Sequence, residues 1–231
     1  METRNVSIRG VLFDFSGTLF RLKPDESWLD GAGDDLAVAE VAELVAKLIA
    51  PAGPSTNLPP ELRDDWERRD LDPVAHRTAY ITAMRASGME IRPGMTERLY
   101  ERFMTPESWF PYPDTVSALR AVRDAGLPVA VVSNIAWDIR PTFELHGAAD
   151  LVDEYVLSFE EGAVKPDPRL FTIACERIGI RPADALMIGD SEEADGGAVA
   201  VGSRFEHVPG LDPSERPDAL VKALAKRGVL V

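Results

Sequence analysis

Three apolar runs along the chain each stop in a short cluster of small polar and acidic residues. Val11-Leu12-Phe13 runs into Asp14-Phe15-Ser16-Gly17-Thr18, Pro128-Val129-Ala130-Val131-Val132 into Ser133-Asn134, and Ala185-Leu186-Met187-Ile188 into Gly189-Asp190-Ser191. A short continuous apolar run ended by turn formers is the mark of a strand buried on both faces, so each predicts a parallel strand and the loop after it. Fainter runs at Tyr155-Val156-Leu157-Ser158 and from Ser203 to Val208 predict two more. Between them, apolar residues take helical spacing: Val116, Leu119, Ala121 and Val122 before Gly126, then Leu170, Phe171, Ile173, Ala174 and Ile178 before Gly179. Strand and helix alternate from Pro113 onward. That order predicts an α/β fold with a doubly wound parallel sheet, whose ligands bind beyond the carboxyl ends of the strands.

The interval from Phe20 to Phe110 carries no strand pattern. It predicts helices over 34–50, ended by Pro51-Ala52-Gly53-Pro54, over 73–87, ended by Gly88, and over 95–104. The expected organisation is a core domain from residues 1–19 and 111–231 with a helical lobe, 20–110, inserted after the first strand. The Pro- and Ser-rich stretch 51–60 reads as an interhelix loop.

Composition narrows the function classes. The 231 residues carry 25 basic and 39 acidic side chains, a net charge of −14, which works against the clustered Lys and Arg that a nucleic acid partner requires. Cys175 is the sole cysteine, so an internal disulfide or a multi-cysteine metal site is excluded and a reducing compartment is expected. No apolar stretch approaches the roughly 18 residues of a membrane helix, and the opening residues lack a basic head followed by an apolar run. The expectation is a cytoplasmic protein acting on a small molecule, with no nucleic acid or membrane partner. Nothing in the pattern sets the oligomeric state.

Asp14 alone is a weak signal, since Asp-x-Ser-Gly-Thr also serves as a turn or helix cap. The ordered set is stronger: Asp14 with Thr18, then Ser133-Asn134, then Lys165-Pro166, then Gly189-Asp190 with Asp195, each at a strand end or loop. This set resembles the four signature segments of the haloacid dehalogenase superfamily of hydrolases, and the segments span residues 11–195. The resemblance implies that 20–110 is a helical cap over the active site. It implies that Asp14 is a nucleophile forming an aspartyl-phosphate, and that Mg²⁺ is held by Asp14, the Ser16 carbonyl and Asp190. It further implies that Lys165 balances the charge, that Ser133 and the Asn134 N–H bind the transferring oxygens, that Thr18 fixes the loop, and that Asp195 orients Lys165 or a metal-bound water.

Ser16 departs from the family pattern, because phosphatases of this kind usually carry a second Asp two residues beyond the nucleophile. A hydroxyl does not replace a positioned acid and base, which is worth about 10²- to 10⁴-fold. Three outcomes follow: a slow phosphatase, one for leaving groups that need little protonation such as acyl phosphates, or one borrowing an acid from the cap or from Glu192 or Glu193. The 2-haloacid dehalogenases also lack the second Asp, but their fourth segment resembles Ser-Ser-Asn, so Asp190 favours the metal-dependent reading. A binding or regulatory module of lapsed activity is the third reading.

The other reactive side chains point to structure. His76, His146 and His207 have no metal-ligand spacing and are expected at the surface or behind the site, and Cys175 is expected as core filler. Gly196-Gly197 is expected to allow a close turn after Asp195. Trp109-Phe110-Pro111-Tyr112 is expected as the hinge back to the core, with Trp28 a candidate wall of the substrate pocket.

Overall fold

The computed structural model describes residues 8–24, 28, 39–40, 42–43 and 62–230. Five strands form one parallel sheet: β1 (Gly10–Phe13), β4 (Val129–Ser133), β5 (Glu154–Leu157), β6 (Ala185–Gly189) and β7 (Arg204–His207), in the order β5-β4-β1-β6-β7. The expected α/β architecture is therefore present. Helices α4 (Thr115–Asp124), α5 (Arg140–Leu145), α6 (Ser158–Glu161), α7 (Pro168–Arg177) and α8 (Ala219–Lys226) occupy the crossovers and the end of the chain.

Alternation along the strands explains why the runs are apolar throughout. Val11, Phe13, Val129, Val131, Leu186 and Ile188 join one buried cluster with Phe143 and Leu220, while Leu12, Ala130, Val132 and Met187 join a second with Leu170, Phe171 and Cys175. Successive side chains point to opposite faces, and both faces are covered by helices. Burying a Phe or Leu side chain of this kind contributes about 1.5–3 kcal/mol. Cys175 is fully buried in the second cluster, as core filler should be.

The chain leaves β1 to build β4 and β5 on one side, then crosses back to build β6 and β7 on the other. The loops after β1, β4 and β6 meet at this reversal of direction, where α/β sheets open a crevice. Register fixes their height, since Phe13 stands opposite both Val131 and Ile188.

Two short strands that the sequence pattern does not reveal leave the sheet at this end. β2 (Phe20–Leu22) pairs antiparallel with β3 (Trp109–Pro111), Phe20 opposite Pro111 and Leu22 opposite Trp109. Three residues are too few to display a period, and the partners Leu22 and Trp109 are 87 positions apart in the chain. Between them lie α1 (Arg63–Arg68), α2 (Pro73–Ala86) and α3 (Met95–Phe103). The carboxylate of Asp72 caps α2 by accepting the Val74 N–H at 2.8 Å, with Pro73 in the first turn. Ile81, Met84, Met95, Leu99, Tyr100 and Trp28 form a third apolar cluster. The helix expected over 34–50 and the loop over 51–60 lie outside the described residues, apart from helical positions at 39–40 and 42–43. Among the described residues no helix is long and apolar enough to cross a membrane.

Candidate active site

Asp14, the first residue beyond β1, donates its backbone N–H to the Ile188 carbonyl of β6 at 3.0 Å, so Asp14 and Asp190 leave the sheet on neighbouring strands. Lys165 enters on the loop after α6 with its side chain almost fully buried. Its ammonium donates to Asp14 Oδ1 at 2.6 Å, to Asp195 Oδ1 at 2.6 Å and to the Val132 carbonyl at 2.8 Å. Three protons meet three acceptors, which fixes the amine in space. The Asn134 side chain holds the Lys165 backbone from both sides, donating to its carbonyl at 3.0 Å and accepting its N–H at 2.6 Å. The second oxygen of Asp195 accepts the Ser191 N–H at 3.0 Å, so this carboxylate is fully engaged.

Glycine makes the close approaches possible. A Cβ on Gly189 would lie 2.1 Å from Asp195 Oδ2, and one on Gly197 would lie 2.5 Å from the Pro166 ring, beside the cis Lys165–Pro166 bond. Gly17 sits at φ +81, in the left-handed region, and its Cβ would lie 2.2 Å from Asp190 Oδ2. The expected close turn at Gly196-Gly197 is thus a packing contact of Gly197 with the Lys165 loop.

One oxygen from each of Asp14, Asp190 and Asp195 lies within 4.8 Å of the others. Burial pushes the Asp14 carboxyl up to about 7; Lys165 pulls it down, and Asp195 and Asp190 add to the rise. Burial and Asp195 likewise raise Asp190, against Lys165. Burial alone would depress the Lys165 ammonium, but Asp14 and Asp195 override it and hold its pKa above the usual value. Three carboxylates therefore share one ammonium, and the site is short of positive charge. The Asp190 carboxylate accepts no hydrogen bond from another side chain among the described residues. An all-oxygen donor set with excess negative charge fits a hard divalent cation such as Mg²⁺.

Sequence reasoning missed the residue that secures the Asp14 loop. Arg216 is buried, donates to the carbonyls of Gly17 at 2.7 Å and Thr18 at 3.0 Å, and stacks 3.6 Å from the Tyr112 ring centre. It leaves the Ser16 carbonyl untouched. Thr18 is buried on the same loop, and its hydroxyl has no partner among the described residues. Ser133 is buried at the end of β4, and Ser16 is exposed.

Beside the Asp14 loop opens a cavity of about 430 Å³, lined by Ser16, Gly17 and Asn134 from the sheet side and by Asp70, His76, Tyr80 and Trp137, among others, elsewhere. His76 departs from its expected place. It is buried, stacks on Tyr80 with ring centres 4.2 Å apart, meets Trp137 edge-on at 5.2 Å, and pairs Nδ1 with the Tyr100 hydroxyl at 2.8 Å. Its helical neighbours in sequence, Ala75 and Arg77, give no hint of this aromatic surround. His207 is exposed, as expected of a surface histidine, and pairs with the Asp190 carbonyl at 2.9 Å, while the half-buried His146 pairs with the Trp109 carbonyl at 2.8 Å. Trp28 packs in the third cluster and is not a wall of the cavity, and Glu192 and Glu193 are exposed away from it.

Burial holds the His76 imidazole neutral, its pKa pushed down to about 3. The unfolded chain takes up this proton near pH 6.5 and the folded chain does not, so stability from this group is present above pH 6.5 and lost as pH falls toward 3. Between pH 6.5 and 4.5 the wild type is expected to lose about 1 kcal/mol per pH unit relative to His76→Phe, as read by denaturant unfolding. Parallel pH profiles for the two proteins would contradict this.

A family model described as haloacid dehalogenase-like hydrolase matches residues 8–202. The chain is 36% identical over 120 residues to haloacid dehalogenase-like hydrolase domain-containing protein 3 of Bos taurus, covering 52% of this chain and 48% of that protein. The chain spans about half the length of the first curated relatives it matches. It is 29% identical over 237 residues to the phosphoglycolate phosphatase of Nitrosospira multiformis, covering 97% and 96% of the two chains. Phosphatases and (S)-2-haloacid dehalogenases both stand among the curated relatives. A crystal structure of a dehalogenase with an intermediate complex shares the fold at a TM-score of 0.66 and 22% identity, over 95% of this chain and 97% of that one. With the carboxylates gathered around one lysine at the end of a parallel sheet and the match covering most of its length, the chain belongs to the haloacid dehalogenase-like hydrolase family.

Proposed function

We propose that the chain is a Mg²⁺-dependent phosphatase of a small phosphorylated metabolite that works through an aspartyl-phosphate on Asp14. The convergence of Asp14, Asp190 and Asp195 within 4.8 Å around Lys165 is the observation that carries this reading. Asp14 has one oxygen bound to Lys165, which leaves the other for attack on phosphorus. Lys165 supplies fixed positive charge beside the nucleophile, and Asp195 positions Lys165. The Ser133 hydroxyl and the Asn134 N–H offer donors to the transferring oxygens. Asp14, Asp190 and the Ser16 carbonyl would hold Mg²⁺, which when bound shields the phosphoryl group from the carboxylates. The helices α1–α3 form the cap, and the cavity beneath them receives the leaving group.

The expected result of a screen with phosphate esters and acyl phosphates is turnover with Mg²⁺ that falls at least tenfold in EDTA. Ser16 favours a second reading, displacement of halide from carbon, because a departing halide needs no proton. Turnover of 2-chloropropionate undiminished by EDTA, with no turnover of phosphates, would replace the first reading with the second. No turnover of either class would point to a binding module.

A further inference from the structure

The cavity holds a carboxyl group that can stand in for the acid missing at Ser16. Among the described residues Asp70 and Asp212 are the acidic side chains that line the cavity, which meets the Asp14 loop at Ser16 and Gly17. They differ in what surrounds them. Asp212 is held down at about 2 by the Ser214 N–H and the Arg21 guanidinium, which lies 2.9 Å away, so at neutral pH it carries no proton to give. Asp70 is pushed the other way: burial raises it, outweighing Arg69 at 3.3 Å and the more distant Lys165 ammonium. His76, pushed down to about 3, and Tyr80, pushed up to about 12 by burial, are poor donors or acceptors of a proton near neutrality, and burial raises Tyr112 as well.

The position of Asp70 is tied to the site floor. It lies on the loop between α1 and α2, and its backbone carbonyl accepts the Ser158 hydroxyl at 2.5 Å. The same Ser158 oxygen accepts the N–H of Ile135 at 2.7 Å, one residue beyond Asn134. One hydroxyl thus fastens the Asp70 loop to the loop that carries Ser133 and Asn134. Arg69 is held in turn by the Trp66 carbonyl at 2.7 Å and by the Trp66 ring at 4.6 Å, which steadies the Asp70 side chain from its other flank.

Resting on the phosphatase reading, we propose that Asp70 is the general acid and base of this enzyme, supplied across the cavity in place of a carboxyl at position 16. In the first half-reaction an Asp14 oxygen bonds to phosphorus, the bond from phosphorus to the leaving oxygen breaks, and the Asp70 proton passes to that oxygen, releasing the alcohol. In the second, the Asp70 carboxylate takes a proton from water as the water oxygen bonds to phosphorus and the bond to Asp14 breaks. Inorganic phosphate leaves, and Asp14 and Asp70 return to their starting states.

The test is the dependence on leaving group. With Mg²⁺, Asp70→Asn is expected to lower kcat on alkyl phosphates by about 10²- to 10⁴-fold, while phosphoenzyme formation from acetyl phosphate changes less than about tenfold. Ser16→Asp in the Asp70→Asn background is expected to restore alkyl phosphate turnover by at least tenfold. Equal losses on both substrates, or no loss on either, would overturn the proposal. Should Asp70→Asn fail to fold, the wild type decides alone: kcat/KM that changes little with leaving-group pKa across a series of phosphate esters supports a proton donor, and a steep fall contradicts one. Absence of any wild-type turnover of phosphates would remove the phosphatase reading itself, an outcome distinct from normal turnover that Asp70→Asn leaves untouched.

Discussion

Asp14→Asn is expected to lower turnover of every phosphate substrate by at least about 10⁴-fold, because an amide neither attacks phosphorus nor forms the covalent intermediate. The same substitution is not expected to weaken the fold. Burial pushes the Asp14 carboxyl up to about 7 against the rise and fall imposed by its neighbours, so in the absence of metal its ionised form is a burden on the folded state. A group with a raised folded pKa gives its stabilisation below the unfolded pKa, near 4, and loses it as pH rises through about 7. Relative to wild type in EDTA, the variant is therefore expected to gain stability between pH 4 and pH 8. Thermal or denaturant melts at the two pH values check this, and a variant less stable at pH 8 would count against the electrostatic picture.

Lys165→Met is expected to behave oppositely, losing both activity and stability. Its ammonium sits between Asp14 and Asp195, each at 2.6 Å, with side chains 2%, 9% and 1% exposed respectively, so water cannot take over its role. Removing one partner of a buried pair costs about 3–5 kcal/mol because it leaves charge buried without compensation. The loss is expected to be largest at pH 8 and to shrink toward pH 5, where the carboxyls escape by taking protons. Turnover is expected to fall about 10³-fold, since the fixed charge beside the nucleophile is gone. Denaturant unfolding at the two pH values reads the first effect; a loss that is the same at both would show that packing, not charge, holds Lys165.

Most of the sheet and the floor of the site could be read from residue order. The strands β1, β4 and β6 announce themselves because burial on both faces makes them apolar without interruption, and the residues that end them are the ones that meet. The fainter β5 and β7 are the edge strands, whose partial exposure dilutes the pattern. What stayed hidden depends on contacts between distant residues. Arg216 reaches Gly17 across 199 positions, and no local pattern marks it as the anchor of the Asp14 loop. Asp70 precedes α2 and His76 lies in its first turns, among charged and small residues; both line the cavity, His76 packed against Tyr80 and Trp137. Ser16 was legible as a departure, whereas the carboxyl proposed to answer it was not, because Asp70 comes from a loop 54 positions further along the chain.

The central claim is that Asp14 becomes covalently phosphorylated during turnover. Acid quench of the Mg²⁺-loaded wild type with acetyl phosphate, followed by peptide mass spectrometry, is predicted to find one added phosphoryl group on the peptide containing Asp14, and none in Asp14→Asn. Turnover of the substrate with no such adduct, or an adduct on any other residue, would contradict it.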